Sequence, residues 1–123
     1  MVLQYTAVKM KRMAYLRKEK ETVEMDYTLS RVWAAIRRVL TILEWNIEQT
    51  DESAHHVKAK TKSGFMSWSS LLLIDAVSVN EKTTRVSVAA ETPVTTITAT
   101  VDFGRTRQRI NQFLTELSRE LTS

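Results

Sequence analysis

The chain has 123 residues, 43% hydrophobic and 26% charged, which suits one globular domain able to bury its own core. It contains no cysteine, so disulfides, thiol nucleophiles and thiolate metal sites are excluded. The formal net charge of +4 is unevenly spread: residues 1–20 carry six bases against Glu19 alone, and the remainder carries twelve bases against thirteen acids. The basicity therefore belongs to an N-terminal arm, residues 1–20, and residues 21–123 read as a single near-neutral domain.

The arm holds Lys9, Lys11, Arg12, Arg17, Lys18 and Lys20. Its thin apolar pattern fits a helix and a disordered segment equally, and Met10 or Met13 could serve as later starts. It lacks the apolar stretch of a secretory signal. No apolar run, Leu71 to Ile74 included, approaches the length that spans a bilayer, so the expected location is cytoplasmic.

From Thr22 the pattern sharpens. Val23, Met25 and Tyr27 alternate with Glu24 and Asp26, as in a half-buried strand. Thr28 or Ser30 offers an N-cap hydroxyl to a helix over about Ser30 to Leu43, whose stripe is Leu29, Val32, Trp33, Ile36, Val39, Leu40 and Leu43. Short strands follow around Trp45–Ile47 and Val57–Thr61, separated by the polar turn Asp51-Glu52-Ser53. Ser63-Gly64 breaks the pattern. A long strand is predicted from about Trp68 to Val79, and Asn80-Glu81-Lys82 turns the chain into an alternating Thr84–Ala90. Pro93 marks an edge or loop. A Thr-rich strand is expected over Ile97–Phe103. Asp102 is the expected N-cap of a final helix with the stripe Ile110, Phe113, Leu114, Leu117 and Leu121. The order is β-α-β-β-β-β-β-α. The predicted fold class is α+β, a two-layer sandwich in which two helices pack on one face of an antiparallel sheet of about five to six strands.

Several segments carry a resemblance: Val32-Trp33, Glu44-Trp45-Asn46-Ile47, Ser67-Trp68, Lys82-Thr83-Thr84-Arg85-Val86-Ser87-Val88, and Asp102-Phe103-Gly104-Arg105 followed by Ile110, Phe113-Leu114 and Leu117. Over roughly residues 22–121 the chain resembles a group of small prokaryotic α+β domains with no assigned activity. Its arrangement also resembles the helix-grip class. The resemblance implies a fold and lends no catalytic residues.

Chemistry-bearing constellations are sparse. His55 and His56 are adjacent, so on a strand they point to opposite faces and cannot jointly grip one ion. The carboxylates are scattered, two glycines cannot form a phosphate loop, and Asp102-Phe103-Gly104 matches a kinase triplet by chance. No catalytic residue, metal site or cofactor is assigned, and the reading leans against an enzyme. Arg105 and Arg109 share a helix face and could contact an anion; a solvated face with Asp102 and Glu116 as partners is the alternative. Nucleic acid or an anionic surface is expected only through the arm, where Tyr5 and Tyr15 could stack.

The most informative segment is Leu71-Leu72-Leu73-Ile74. Side chains alternate across a sheet, so if Leu72 and Ile74 face the helices, Leu71 and Leu73 face away. The expected role is therefore a non-enzymatic interaction module with an apolar open sheet face, extended by Phe65 and Met66, whose cover is a second copy, a protein partner, an apolar ligand held in a curved sheet, or the N-terminal segment. The alternatives are a helix-grip pocket for a small hydrophobic ligand and anion binding through the arm.

Overall fold

A computed structural model describes residues 15–62, 69–94 and 104–123. Its elements are β1 (Tyr15–Met25), α1 (Leu29–Leu43), β2 (Asn46–Asp51), β3 (His56–Lys60), β4 (Leu71–Asn80), β5 (Thr83–Val94) and α2 (Arg105–Thr122). The strands form one antiparallel sheet in the order β1-β5-β4-β3-β2. Three hairpins build β2 to β5 in sequence, and β1 returns to close against β5. The predicted strand over 97–103 lies outside the described residues.

Both helices cover the same face. On α1, Val32, Trp33, Ala35, Ile36, Val39 and Leu40 are buried; on α2, Ile110, Phe113, Leu117 and Leu121 meet them. The sheet contributes Val57, Ala59, Leu72, Ile74, Ala76, Val86, Val88 and Ala90, each one residue out of phase with an outward neighbour. Among the described residues Phe113 is the largest fully buried side chain, and it belongs to the core between the layers.

The helix ends follow from local chemistry. The Thr28 hydroxyl accepts the Arg31 N–H at 3.3 Å and caps α1. The helix closes on Glu44, a non-glycine residue held at φ 61°, whose N–H bonds the carbonyls of Leu40 and Thr41. The N-cap of α2 is Gly104 at φ 80° with no side-chain capping bond, which corrects the expectation that Asp102 would cap it. Asp102 itself lies outside the described residues.

β1 begins at Tyr15, well before the alternation that predicts it. Its first half pairs Leu16 with Pro93 and Lys18 with Glu91, so the length of β5 rather than the apolar pattern sets where β1 starts. Arg17, Lys18 and Lys20 are therefore sheet residues and not part of a separate arm. Pro93 falls near the end of β5, within a strand that is interior to the sheet.

The β2–β3 turn is pinned to α1. Trp33 donates Nε1–H to Glu52 Oε1 at 2.9 Å, Arg37 pairs with the other Glu52 oxygen at 2.5 Å, and the His55 ring meets the Trp33 ring edge-on at 5.3 Å. Asp51 organises the same turn by accepting from Ser53 and from the Ala54 N–H. These bonds, led by that from the Ser53 hydroxyl, hold its carboxyl below the ordinary value of 3.8. No described helix is long and apolar enough to cross a membrane.

Candidate interaction surface

The sheet face opposite the helices is built by register. Leu71 on β4 lies between Lys60 of β3 and Glu91 of β5, and Lys18 of β1 lies beyond Glu91. Two residues along, Leu73 lies between Lys58 and Ala89, with Lys20 beyond. Two leucines thus sit at the centre of one end of the face, flanked by lysines from strands on either side. Both leucines are partly buried, as expected when lysine stems lie against them. None of Lys18, Lys20, Lys58 or Lys60 has a carboxylate within ion-pair distance among the described residues.

The other end of the same face differs. Asp75 pairs with His56 at 2.7 Å between Nδ1 and Oδ1, and Asp51 stands opposite His56 on β2. Val77 and Val79 are 54% and 42% exposed. Glu24 of β1 pairs with Arg85 of β5 at 3.0 Å. Charge therefore varies along the face: four lysines against Glu91 surround the leucines, Asp51, His56 and Asp75 form the next row, and Glu24 pairs with Arg85 beside Val77. Among the described residues no helix or strand lies over it. Phe65 and Met66, expected to extend the apolar patch, lie outside the described residues, as do Lys9, Lys11 and Arg12.

The arginines of α2 are not presented together to solvent. Arg109 is directed into the helix–sheet layer, where its Nη1–H donates to the Ser70 hydroxyl. Ser70 also bonds Thr92, which accepts from the Thr106 hydroxyl at 2.8 Å, and the Ser70 N–H donates to Thr61 Oγ1 at 2.8 Å. Ser70, Thr92, Thr106 and Thr61 are all buried, so this is a hydroxyl chain inside the core layer. Sequence reading missed it, because its members come from the two ends of the β3–β4 connection, from β5 and from α2. Arg107 pairs with Glu21 at 2.6 Å and with Glu19 at 3.7 Å, while Glu116 bonds Arg119. Arg105 is partly buried and also engaged.

A second concavity separates β1 from α2. It is an open groove of about 700 Å³ lined by Val23, Met25 and Leu114 together with Glu21, Asn111 and Arg119. No group of three His, Cys, Asp or Glu suited to a metal ion occurs among the described residues.

No protein-family model matches the chain, and no curated protein does. Solved structures do. Norcoclaurine synthase from Thalictrum flavum superposes with a TM-score of 0.67 at 9% identity, over 93% of this chain and 91% of that one. The same enzyme in complex with dopamine and hydroxybenzaldehyde gives 0.65 at 8% identity, over 89% of each chain. The Zhui aromatase/cyclase of Streptomyces sp. R1128 gives 0.62 at 11% identity, over 87% of this chain and 96% of that one. These likenesses establish the helix-grip α+β fold.

Proposed function

We propose that this protein is a non-enzymatic interaction module that binds through the outer face of its sheet. The observation carrying this reading is the position of Leu71 and Leu73 on that face, surrounded by four lysines without carboxylate partners among the described residues. Lysines on an exposed edge strand guard against unwanted strand pairing, and that suffices for Lys18 and Lys20 on β1. It does not account for Lys58 and Lys60, because β3 lies between β2 and β4 and has no free edge. Apolar side chains ringed by charge on a sheet face over which no described element lies are the pattern of a binding patch. A photo-crosslinking amino acid placed at Leu73 in expressing cells is expected to give a discrete adduct. The same group at Ala34, on the solvent side of α1, is expected to give none. Absence of an adduct from the sheet face would overturn the reading.

A second reading is favoured by the groove between β1 and α2. At about 700 Å³ it falls within the usual volume of small-molecule sites. Val23, Met25 and Leu114 give it an apolar floor, and Glu21, Asn111 and Arg119 would orient a polar group. The relative crystallised with dopamine and hydroxybenzaldehyde binds compounds of suitable size. Native mass spectrometry of the purified chain with small phenolic aldehydes and amines tests it, with loss of binding in Leu114→Arg as the expected control.

A further inference from the structure

We infer that the inner face of the sheet carries a binding site for the carboxylate of a small organic acid, formed by Arg17, Thr92 and Ser70 beneath the first turns of α2. The site is separate from the outer face and from the groove at Val23 and Leu114, and it stands independently of both readings above. The first argument is a polar row across the strands. Glu19 and Glu21 of β1 reach Arg107 of α2, so Arg17, two residues before Glu19, turns to the same helix-covered side. Arg17 is the partner of Thr92 in the β1–β5 register, the Thr92 hydroxyl bonds that of Ser70, and the Ser70 carbonyl accepts the Thr61 N–H at 2.9 Å. The next row towards the middle of the sheet is apolar, with Ala90 and Leu72 both fully buried. An arginine and three hydroxyl side chains are not what packing alone selects on a helix-covered face.

The second argument is a surplus of donors. The Thr106 hydroxyl donates to Thr92 at 2.8 Å, and the Arg109 guanidinium donates to Ser70. Both ends of the chain thus point inward. Thr92 and Ser70 hold two hydroxyl protons between them and share one hydrogen bond. Whichever of them donates in that bond, the proton of the other has no acceptor among the described residues. Beside them the Arg17 Nε–H is buried with no hydrogen-bond partner, and the two carboxylates on its side of β1 are already engaged by Arg107. Buried donors in native proteins are met by protein, water or ligand, and these two need an acceptor. A cationic donor favours an acceptor with negative charge. One uncompensated guanidinium matches a monoanion, and buried Ala90 and Leu72 in the next row suit a carboxylate carrying an apolar group better than a phosphate. A ligand offering only donors, such as an ammonium group, fails the same count. Arg17 is partly exposed and β1 is an edge strand, so the site can be entered from the side of the sheet.

The test is NMR of the full chain with the arginine Nε–H signals resolved, titrated at constant ionic strength with sodium benzoate, benzamide or inorganic phosphate. Benzoate is expected to shift the Arg17 Nε–H signal saturably. Benzamide has nearly the same shape without the charge and is expected to bind at least about tenfold more weakly. Arg17→Met keeps the unbranched stem, removes the donor and identifies the signal by its disappearance. Calorimetry should show benzoate binding weakened about tenfold or more in this variant, with circular dichroism unchanged. The comparison of benzoate with benzamide on the wild-type chain decides the question without the variant. An Arg17 signal that no anion moves, one that phosphate moves and benzoate does not, equal affinity for benzoate and benzamide, or equal benzoate affinity in folded Arg17→Met would each overturn the inference.

Discussion

Adjacent leucines on one strand give a direct measurement of what the sheet's two faces are worth. Leu72 is 0% exposed and packs among Ile36, Phe113 and the other core residues, whereas Leu73 is partly buried on the open face. Leu72→Ala removes buried methyl groups and leaves a cavity that the surrounding layers cannot fully close, a loss of roughly 3 to 5 kcal/mol. Leu73→Ala gives up only part of a leucine's burial against lysine stems and leaves no enclosed void, which comes to about 1 kcal/mol. Urea unfolding followed by tryptophan fluorescence reads both. With a slope of about 2 kcal/mol per molar, the Leu72 midpoint should fall by roughly 2 M and the Leu73 midpoint by roughly 0.5 M, the slope itself unchanged. The comparison belongs at low protein concentration, because association through the open face would add stability that grows with concentration and that Leu73→Ala forfeits. Equal costs for the two substitutions, or a larger cost for Leu73, would refute the assignment of these side chains to opposite faces.

Thr92→Val keeps the shape of the side chain but strips the hydroxyl that bonds Ser70 and Thr106, leaving two buried hydroxyls short of a partner; a loss of about 1 to 3 kcal/mol in urea unfolding is expected. Glu44→Gly relieves a β-carbon held at φ 61° at the end of α1 and should raise Tm on the order of 3 °C in a calorimetric scan. Asp51→Ala should destabilise the fold at neutral pH through loss of the bonds from Ser53 and Ala54. Because the folded carboxyl sits below its ordinary 3.8, that stabilisation is complete above the unfolded value and disappears as pH falls through the folded one. The gap between Asp51→Ala and wild type in Tm should therefore close progressively below about pH 4.

Both helices were legible because their information is local. Val32, Ile36, Val39 and Leu40, and Ile110, Phe113, Leu117 and Leu121, recur at helical spacing whatever the rest of the chain does. β1 was half legible. Val23 and Met25 alternate with polar residues, but Arg17 to Glu21 are all charged, and nothing in them signals a strand until β5 is known to extend to Val94 beside them. The cap of α2 was misplaced for a related reason. Asp102 is the better capping side chain, and Gly104 is chosen because the chain turns into the helix through a positive φ that glycine tolerates.

The face and its neighbours differ in the same way. Alternation along Leu71–Ile74 is a property of one strand, so the sequence alone shows that Leu71 and Leu73 point away from Leu72 and Ile74. Which side chains surround them is a property of register between strands. Lys60 and Glu91 become the neighbours of Leu71 only through two separate pairings, and Lys18 joins them through a third. The total charge of +4 suggested a polyanion and pointed at the arm. Once the strands are aligned, two of those bases, Lys18 and Lys20, stand with Lys58 and Lys60 around the leucines, while Asp51 and Asp75 occupy the next row beside His56. The distribution of charge along the strands, and not its sum, is therefore what a binding reading of this face has to start from.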